Sequence, residues 1–199
     1  MDKNIRKILD DLQSTDVDVQ YAAYVAIMKI TDEPVGWAYD VWDECLRNLR
    51  HTNNHIRSQA SQLLCNLAKS DPERRIMKDF AAVMAVTRDE KFVTARHTLQ
   101  SIWKVGAVGP AHQRMVMDRM EARYKECSTE KNSTLIRFDI IEGMRRLYDA
   151  VHDEEIKAAA LALIEIEVDL KYRKKYATLW KLTPRRGAPG SAAPSVETQ

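Results

Sequence analysis

Residues able to do chemistry are few and scattered along this chain. Its five histidines stand at His51, His55, His97, His112 and His152. His51 and His55 are four apart, the spacing that places two imidazoles on one helical face for a metal, but Thr52-Asn53-Asn54 between them reads as a turn and breaks that geometry. His97 has no carboxylate or thiol that spacing assigns to it. The cysteines, Cys45, Cys65 and Cys127, are odd in number and form no CxxC pair. They suggest neither a zinc site nor a disulfide framework, and read as buried free thiols in a reducing compartment. There is no glycine-rich phosphate loop, no HExxH and no GxSxG. The expectation is therefore a chain with no catalytic residue, no metal and no cofactor.

One cluster carries charge rather than reactivity. Arg137, Arg145, Arg146, Arg173, Lys174, Lys175 and Lys181 form a basic group that Arg185 and Arg186 continue. A stripe of this kind can hold spaced phosphates, which nominates Arg145, Lys174 and Lys181 for a nucleic-acid backbone. Glu165, Glu167 and Asp169 lie just before α-helical Lys171–Trp180, so local ion pairs on a solvated face compete with that reading. Net charge over the 199 residues is only +2. It is uneven: residues 1–86 carry 11 Lys and Arg against 13 Asp and Glu, and residues 87–199 carry 20 against 16.

These residues must be positioned by helices. Gly is scarce, at 6, and Leu, Ile, Val, Ala and Met are plentiful, a balance that favours helix over sheet. Met1–Leu12 is charged and amphipathic, without the apolar run of a signal peptide, and no segment approaches a membrane span. The expected location is the cytoplasm, with no membrane partner.

The apolar pattern repeats. Helix-capping residues Asp16, Asn53, Asp89, Ser133 and Asp169 are spaced by 37, 36, 44 and 36. Three residues after each stands Val19, Ile56, Phe92, Ile136 or Tyr172; ten after stands Ala26, Leu63, Leu99, Gly143 or Leu179. A period of this size in an all-helical sequence means stacked helical pairs, an α-solenoid. The caps open the second, or B, helix of each of five hairpins. The first helices are Ile5–Leu12, one opened by Pro34, one opened by the capping box Ser70-Asp71-Pro72-Glu73, one opened by Gly109-Pro110, and one from Asp153. Gly106 reads as a helix stop. The array forms one domain over 1–183. The stretch 184–199, rich in Gly, Pro, Ser and Ala, reads as a disordered tail.

Asn53-Asn54-His55-Ile56-Arg57 with Ala60, and Ser133-Thr134-Leu135-Ile136-Arg137, resemble the HEAT repeat in its inter-helix turn and following arginine. Asp169-Leu170-Lys171-Tyr172-Arg173 follows the same outline. The first repeat departs, with Gln20 at the arginine position. The third departs more, with Val93 there and Arg96 in place of a small residue. The resemblance implies that B-helix positions five, nine and twelve after the cap line a concave face. That face would be apolar at the first repeat, with Tyr21, Val25 and Met28. It would be uncharged in the middle, at Ser58, Gln62, Cys65, Thr94, Thr98 and Ser101. It would be basic at the end, beyond Phe138. An exposed apolar cluster beside polar residues is a protein-docking surface. Tyr21, Val25, Met28 and Phe138 are accordingly the candidate contacts for a protein or peptide. Gln62 is expected to be exposed and Leu64 buried. The reading is a non-catalytic adaptor; the alternative is nucleic-acid backbone binding, with a DNA glycosylase as its sharper form. For the latter, Glu142 beside Phe138 is the nearest approach to a carboxylate flanked by aromatic rings.

Overall fold

Side chains that accept backbone amides set where the helices begin. The computed structural model describes residues 2–181. Among them are α-helices α1 (Lys3–Asp11), α2 (Val17–Ile30), α3 (Ala38–Asn48), α4 (Asn54–Leu67), α5 (Ile76–Val86), α6 (Phe92–Leu99), α7 (Trp103–Gly106), α8 (Pro110–Glu126), α9 (Ser133–Val151), α10 (Glu154–Glu165) and α11 (Leu170–Leu179). No strand occurs among the described residues, and the chain is all-α. The tail expected over 184–199, and Arg185 and Arg186 with it, lies outside the described residues.

Four expected caps act as caps. The carboxylate of Asp16 accepts the amides of Asp18 and Val19, and that of Asp169 accepts those of Lys171 and Tyr172. Asn53 and Asp153 accept the amides of His55 and Glu155. Each satisfies backbone donors that the first helical turn leaves free. Pro110 is the first residue of α8, where its missing N–H costs nothing.

Other boundaries differ. Asp89 accepts the Lys91 amide while both its carboxylate oxygens also pair with Arg57, at 2.5 and 2.8 Å, and its helix starts only at Phe92. Ser133 is the first residue of α9 rather than its cap. Ser70 does not cap a helix: its Oγ accepts the Val35 amide at 2.8 Å and ties two loops together. The amide at the start of α5, Ile76, donates to Asp71 instead, at 2.7 Å. Pro34 lies in the loop ahead of α3.

The single B helix expected after Asp89 is split into α6 and α7. Ser101 Oγ donates to the His97 carbonyl at 2.9 Å, and the Ser101 and Lys104 amides reach carbonyls only three residues back. Such back-bonding and tightened turns bend a helix. Gly106 ends α7 without a positive φ. It is small because a Cβ there would stand 2.9 Å from Leu147 Cδ2, so close packing and not turn geometry selects glycine.

Packing follows chain order. α1 lies on α2, α3 on α4, α5 on α6, α7 on α8, and α10 on both α9 and α11. The second helices also touch in succession: α2 with α4, α4 with α6, α6 with α9, α9 with α11. One continuous apolar cluster runs from Leu9 to Trp180 through Trp42, Leu64, Phe80, Leu99, Ile140 and Tyr176.

Candidate functional site

The middle of the expected concave face is not a surface. Ser58, Gln62, Cys65, Thr94, Thr98 and Ser101 are all buried. Ser58, Gln62, Thr94 and Thr98 form a hydrogen-bonded seam between successive second helices. Tyr24 on α2 donates its hydroxyl to Gln62 Oε1 on α4 at 2.9 Å, and Gln62 Nε2 donates to Ser58. Ser61 Oγ lies 2.7 Å from Thr98 Oγ1 on α6. Further along, Asn66 donates to Thr31 at 3.0 Å and accepts from Lys104 at 2.6 Å. Small polar side chains let these helices approach closely while satisfying one another, which burial demands. The exposure expected for Gln62 is thereby corrected.

An open cleft of about 760 Å³ remains at the amino-terminal end of the seam. α2 contributes Val17, Gln20, Tyr21 and Tyr24. α4 contributes His55, Ser58, Gln59 and Gln62, and the turn before it His51 and Asn53. His97 of α6 closes one side. No Lys, Arg, Asp or Glu lines the cleft. Its walls offer amides, hydroxyls, imidazoles and two aromatic rings.

Of the four residues expected at a protein surface, only Tyr21 lines this cleft, and it is 66% exposed. Val25 lies one turn further along α2, exposed but beyond the lining. Met28 is half-buried against the core, where its carbonyl accepts from Asn66 at 3.3 Å. Phe138 does not join them: it sits on α9, half-buried, with the Lys175 ammonium 4.4 Å from its ring centroid and Tyr176 beside it. α4 and α6 lie between α2 and α9 in the packing order. The cleft residues missed in sequence, Tyr24, Gln20 and Gln59, carry only the weak signal of helical spacing around Tyr21 and Ser58.

The basic group separates into two kinds. Arg137 is held by Glu167 at 3.0 Å, Arg146 by Glu142 at 3.0 Å and Arg173 by Glu165. Arg145 is bound to Asp149 at 2.9 Å, donates to the Leu179 carbonyl and lies over the rings of Tyr148 and Trp180. Lys174 and Lys181 are exposed. Glu142, in its ion pair with Arg146, is not poised as a free concave carboxylate.

Ser58 Oγ and His97 Nδ1 are 3.1 Å apart, a nucleophile–base distance. Ser58 is 6% exposed and also accepts from Gln62, while Asp139, the acid nearest in charge to His97, is committed to Arg96 and Gln100. The pair belongs to the seam. His51 Nδ1 accepts the Asn53 amide at 3.0 Å within the turn, so it and His55 do not share a helical face. Among the described residues no group of three or more His, Cys, Asp or Glu is placed to hold a metal. All three cysteines are buried and free, and burial pushes the Cys45 and Cys65 thiols up to about 12, far from the reactive thiolate.

His112, on the first turn of α8, is 5% exposed and its Nε2 has no hydrogen-bond partner. Burial first, then the charge of Arg74, holds its pKa below the ordinary imidazole value, against an opposing pull from Asp71. Below about pH 6.5 the unfolded chain therefore binds more protons than the folded one. The contribution is fully present above that value and is lost as pH falls toward the depressed folded value. His97 is shifted in the same direction by burial and Arg96. The melting temperature is expected to fall between about pH 7 and pH 5, and His112→Gln to flatten that slope. An unchanged slope in the variant would mean that the ring is not held neutral.

No family model matches the chain, and no curated protein matches it. Among solved structures it is similar to crystal structures of engineered proteins. One shares 12% identity over 89% of this chain and 95% of the other, with a TM-score of 0.48. A second shares 15% over 92% and 88%, with a TM-score of 0.47. A third shares 16% over 82% of this chain, with a TM-score of 0.44; the match spans 47% of that protein's length.

Proposed function

We propose that this chain is a five-hairpin HEAT-like solenoid that works as a non-catalytic adaptor, holding a segment of a partner protein in the cleft between α2 and α4. The observation that carries the reading is Tyr21, a large aromatic side chain 66% exposed on the wall of an uncharged cleft of about 760 Å³. Exposed tyrosine beside amide and hydroxyl groups suits recognition, since the ring supplies contact area and its polar neighbours fix orientation. Val17, 75% exposed, lines the same cleft, and Val25, 44% exposed, carries the apolar strip of α2 beyond it, which favours a chain segment over an isolated small molecule. The buried free thiols suit a reducing compartment such as the cytoplasm. Nucleic-acid backbone binding gains less support, because its central cation, Arg145, is held by Asp149 and the Leu179 carbonyl.

The test is a pull-down from native lysate, run with and without nuclease, using the full chain and Tyr21→Ala. A nuclease-resistant protein partner should be recovered, and Tyr21→Ala should weaken it by about tenfold or more, as for an aromatic anchor, with little change in the melt. Recovery that depends on nucleic acid, or a partner indifferent to Tyr21, would defeat the reading.

A further inference from the structure

Opposite end of the array, the turn joining α10 to α11 shows an arrangement that the cleft does not explain. Ile166, Val168 and Leu170 are 57%, 87% and 68% exposed. Between them Glu167 turns inward, 3% exposed, where it accepts from Arg137 and the Asp169 amide. Three aliphatic side chains thus project from one short turn; of the two acids among them Glu167 is buried, and Asp169 is exposed with its carboxylate turned to the amides of Lys171 and Tyr172.

The exposed charge beside this turn is net basic: Lys171, Lys174 and Lys175 with Arg173 outweigh Glu165 and Asp169. At 100° per residue, Leu170, Lys171 and Lys174 fall on the face of α11 opposite buried Tyr176. The carboxylates nearby are engaged: Glu165 by Arg173, Glu167 by Arg137, and Asp169 by the amides of Lys171 and Tyr172. Lys171 and Lys174 are exposed and have no carboxylate partner among the described residues.

We propose that this end of the molecule docks reversibly on an anionic lipid surface. The aliphatic tip enters the boundary between headgroups and acyl chains, and Lys171 and Lys174 meet the lipid phosphates and carboxylates. Apolar insertion and lysine attraction together make up the two signals that interfacial binding needs. No membrane-crossing helix is required, and none of the described helices is long and apolar enough to be one. Charge complementarity selects this occupant. Residues 182–199 carry Arg185 and Arg186 against Glu197 alone, the same sign as the face. A second copy presenting the same face would set lysine against lysine. A nucleic acid would satisfy the lysines and leave Ile166, Val168 and Leu170 without a use.

Co-sedimentation of the full chain with vesicles tests this directly. The chain should bind vesicles containing about one third phosphatidylserine, not pure phosphatidylcholine, and release as salt rises toward about 0.5 M, where screening shortens to a few ångströms. Lys171→Gln with Lys174→Gln should weaken binding roughly 25-fold, about fivefold per lysine. Val168→Gln with Leu170→Gln should also weaken it, about tenfold or more, with an unchanged melt because both positions are exposed. Val168→Trp gives a second readout: brominated lipid in the anionic vesicles should quench more fluorescence than in wild type. Tyr21→Ala should leave all of this unchanged, which separates failure here from failure of the cleft reading. The proposal is overturned by equal binding to neutral vesicles or by no vesicle binding. It is also overturned if the two aliphatic changes have no effect while an oligonucleotide competes for the lysines, or if the face is consumed in a dimer that these changes dissociate.

Discussion

Replacing Arg96 with alanine is expected to destabilise the fold by about 3–5 kcal/mol, the cost of leaving a buried charge without its partner. Asp139 on α9 is fully buried, and Arg96 on α6 reaches it through two hydrogen bonds of 2.7 and 2.9 Å, with Gln100 adding a third at 3.1 Å. Arg96 itself is one-third exposed, so most of the penalty falls on the carboxylate. Replacing both residues with leucine should recover much of the loss, because neither charge then needs solvation. Urea denaturation of the two single variants and the pair measures this. Additive losses would show that the two side chains do not act together.

The same pair explains a departure that sequence marked without interpreting. Arg57, four residues after Asn53, binds Asp89, and Arg137, four residues after Ser133, binds Glu167, each tying its helix to a later turn of the chain. Four residues after Asp89 stands Val93 instead, 61% exposed. Arg96, one turn on, takes over the connection by reaching Asp139. What looked like a breach of the pattern at a small-residue position is a displaced form of the same link.

Caps and the apolar stripe were legible because they obey local rules. Asp16, Asn53 and Asp169 cap through their own next amides, and Leu63, Leu99 and Ile136 fall on the buried arc. The helix boundaries at Ser70 and Pro34 were not legible, since Ser70 is spent on Val35, a residue 35 positions away. The candidate surface was less legible still. Hydropathy reads Ser58, Thr94 and Thr98 as solvent-facing, yet each is buried against a neighbouring helix that satisfies it. Periodicity fixes which arc of a helix is apolar; it does not distinguish polar residues facing water from polar residues facing one another. Tyr21, at the same phase of α2, does stay exposed, because it lies on the wall of the cleft that α2 and α4 enclose.

That distinction sets the last expected result, on two neighbouring residues of α4. Leu64 is fully buried in the apolar cluster, and Leu64→Ala should cost about 2–5 kcal/mol in lost burial and residual cavity. Gln62, read in sequence as exposed, would then have been silent to within about 0.5 kcal/mol. In the folded chain it is 8% exposed and joins Tyr24 to Ser58. Gln62→Ala should therefore cost about 1–3 kcal/mol, the penalty for stranding buried polar groups. Tyr24→Phe removes the hydroxyl that Gln62 receives, so the double variant should lose less than the two single losses combined. Gln59→Ala, half-exposed on the cleft wall three residues earlier, serves as the control near zero. Denaturant midpoints at constant slope rank the four single variants and the double variant. If Gln62→Ala proves as silent as Gln59→Ala, the polar seam does not hold α2 to α4, and the cleft that ends it loses its rigid wall.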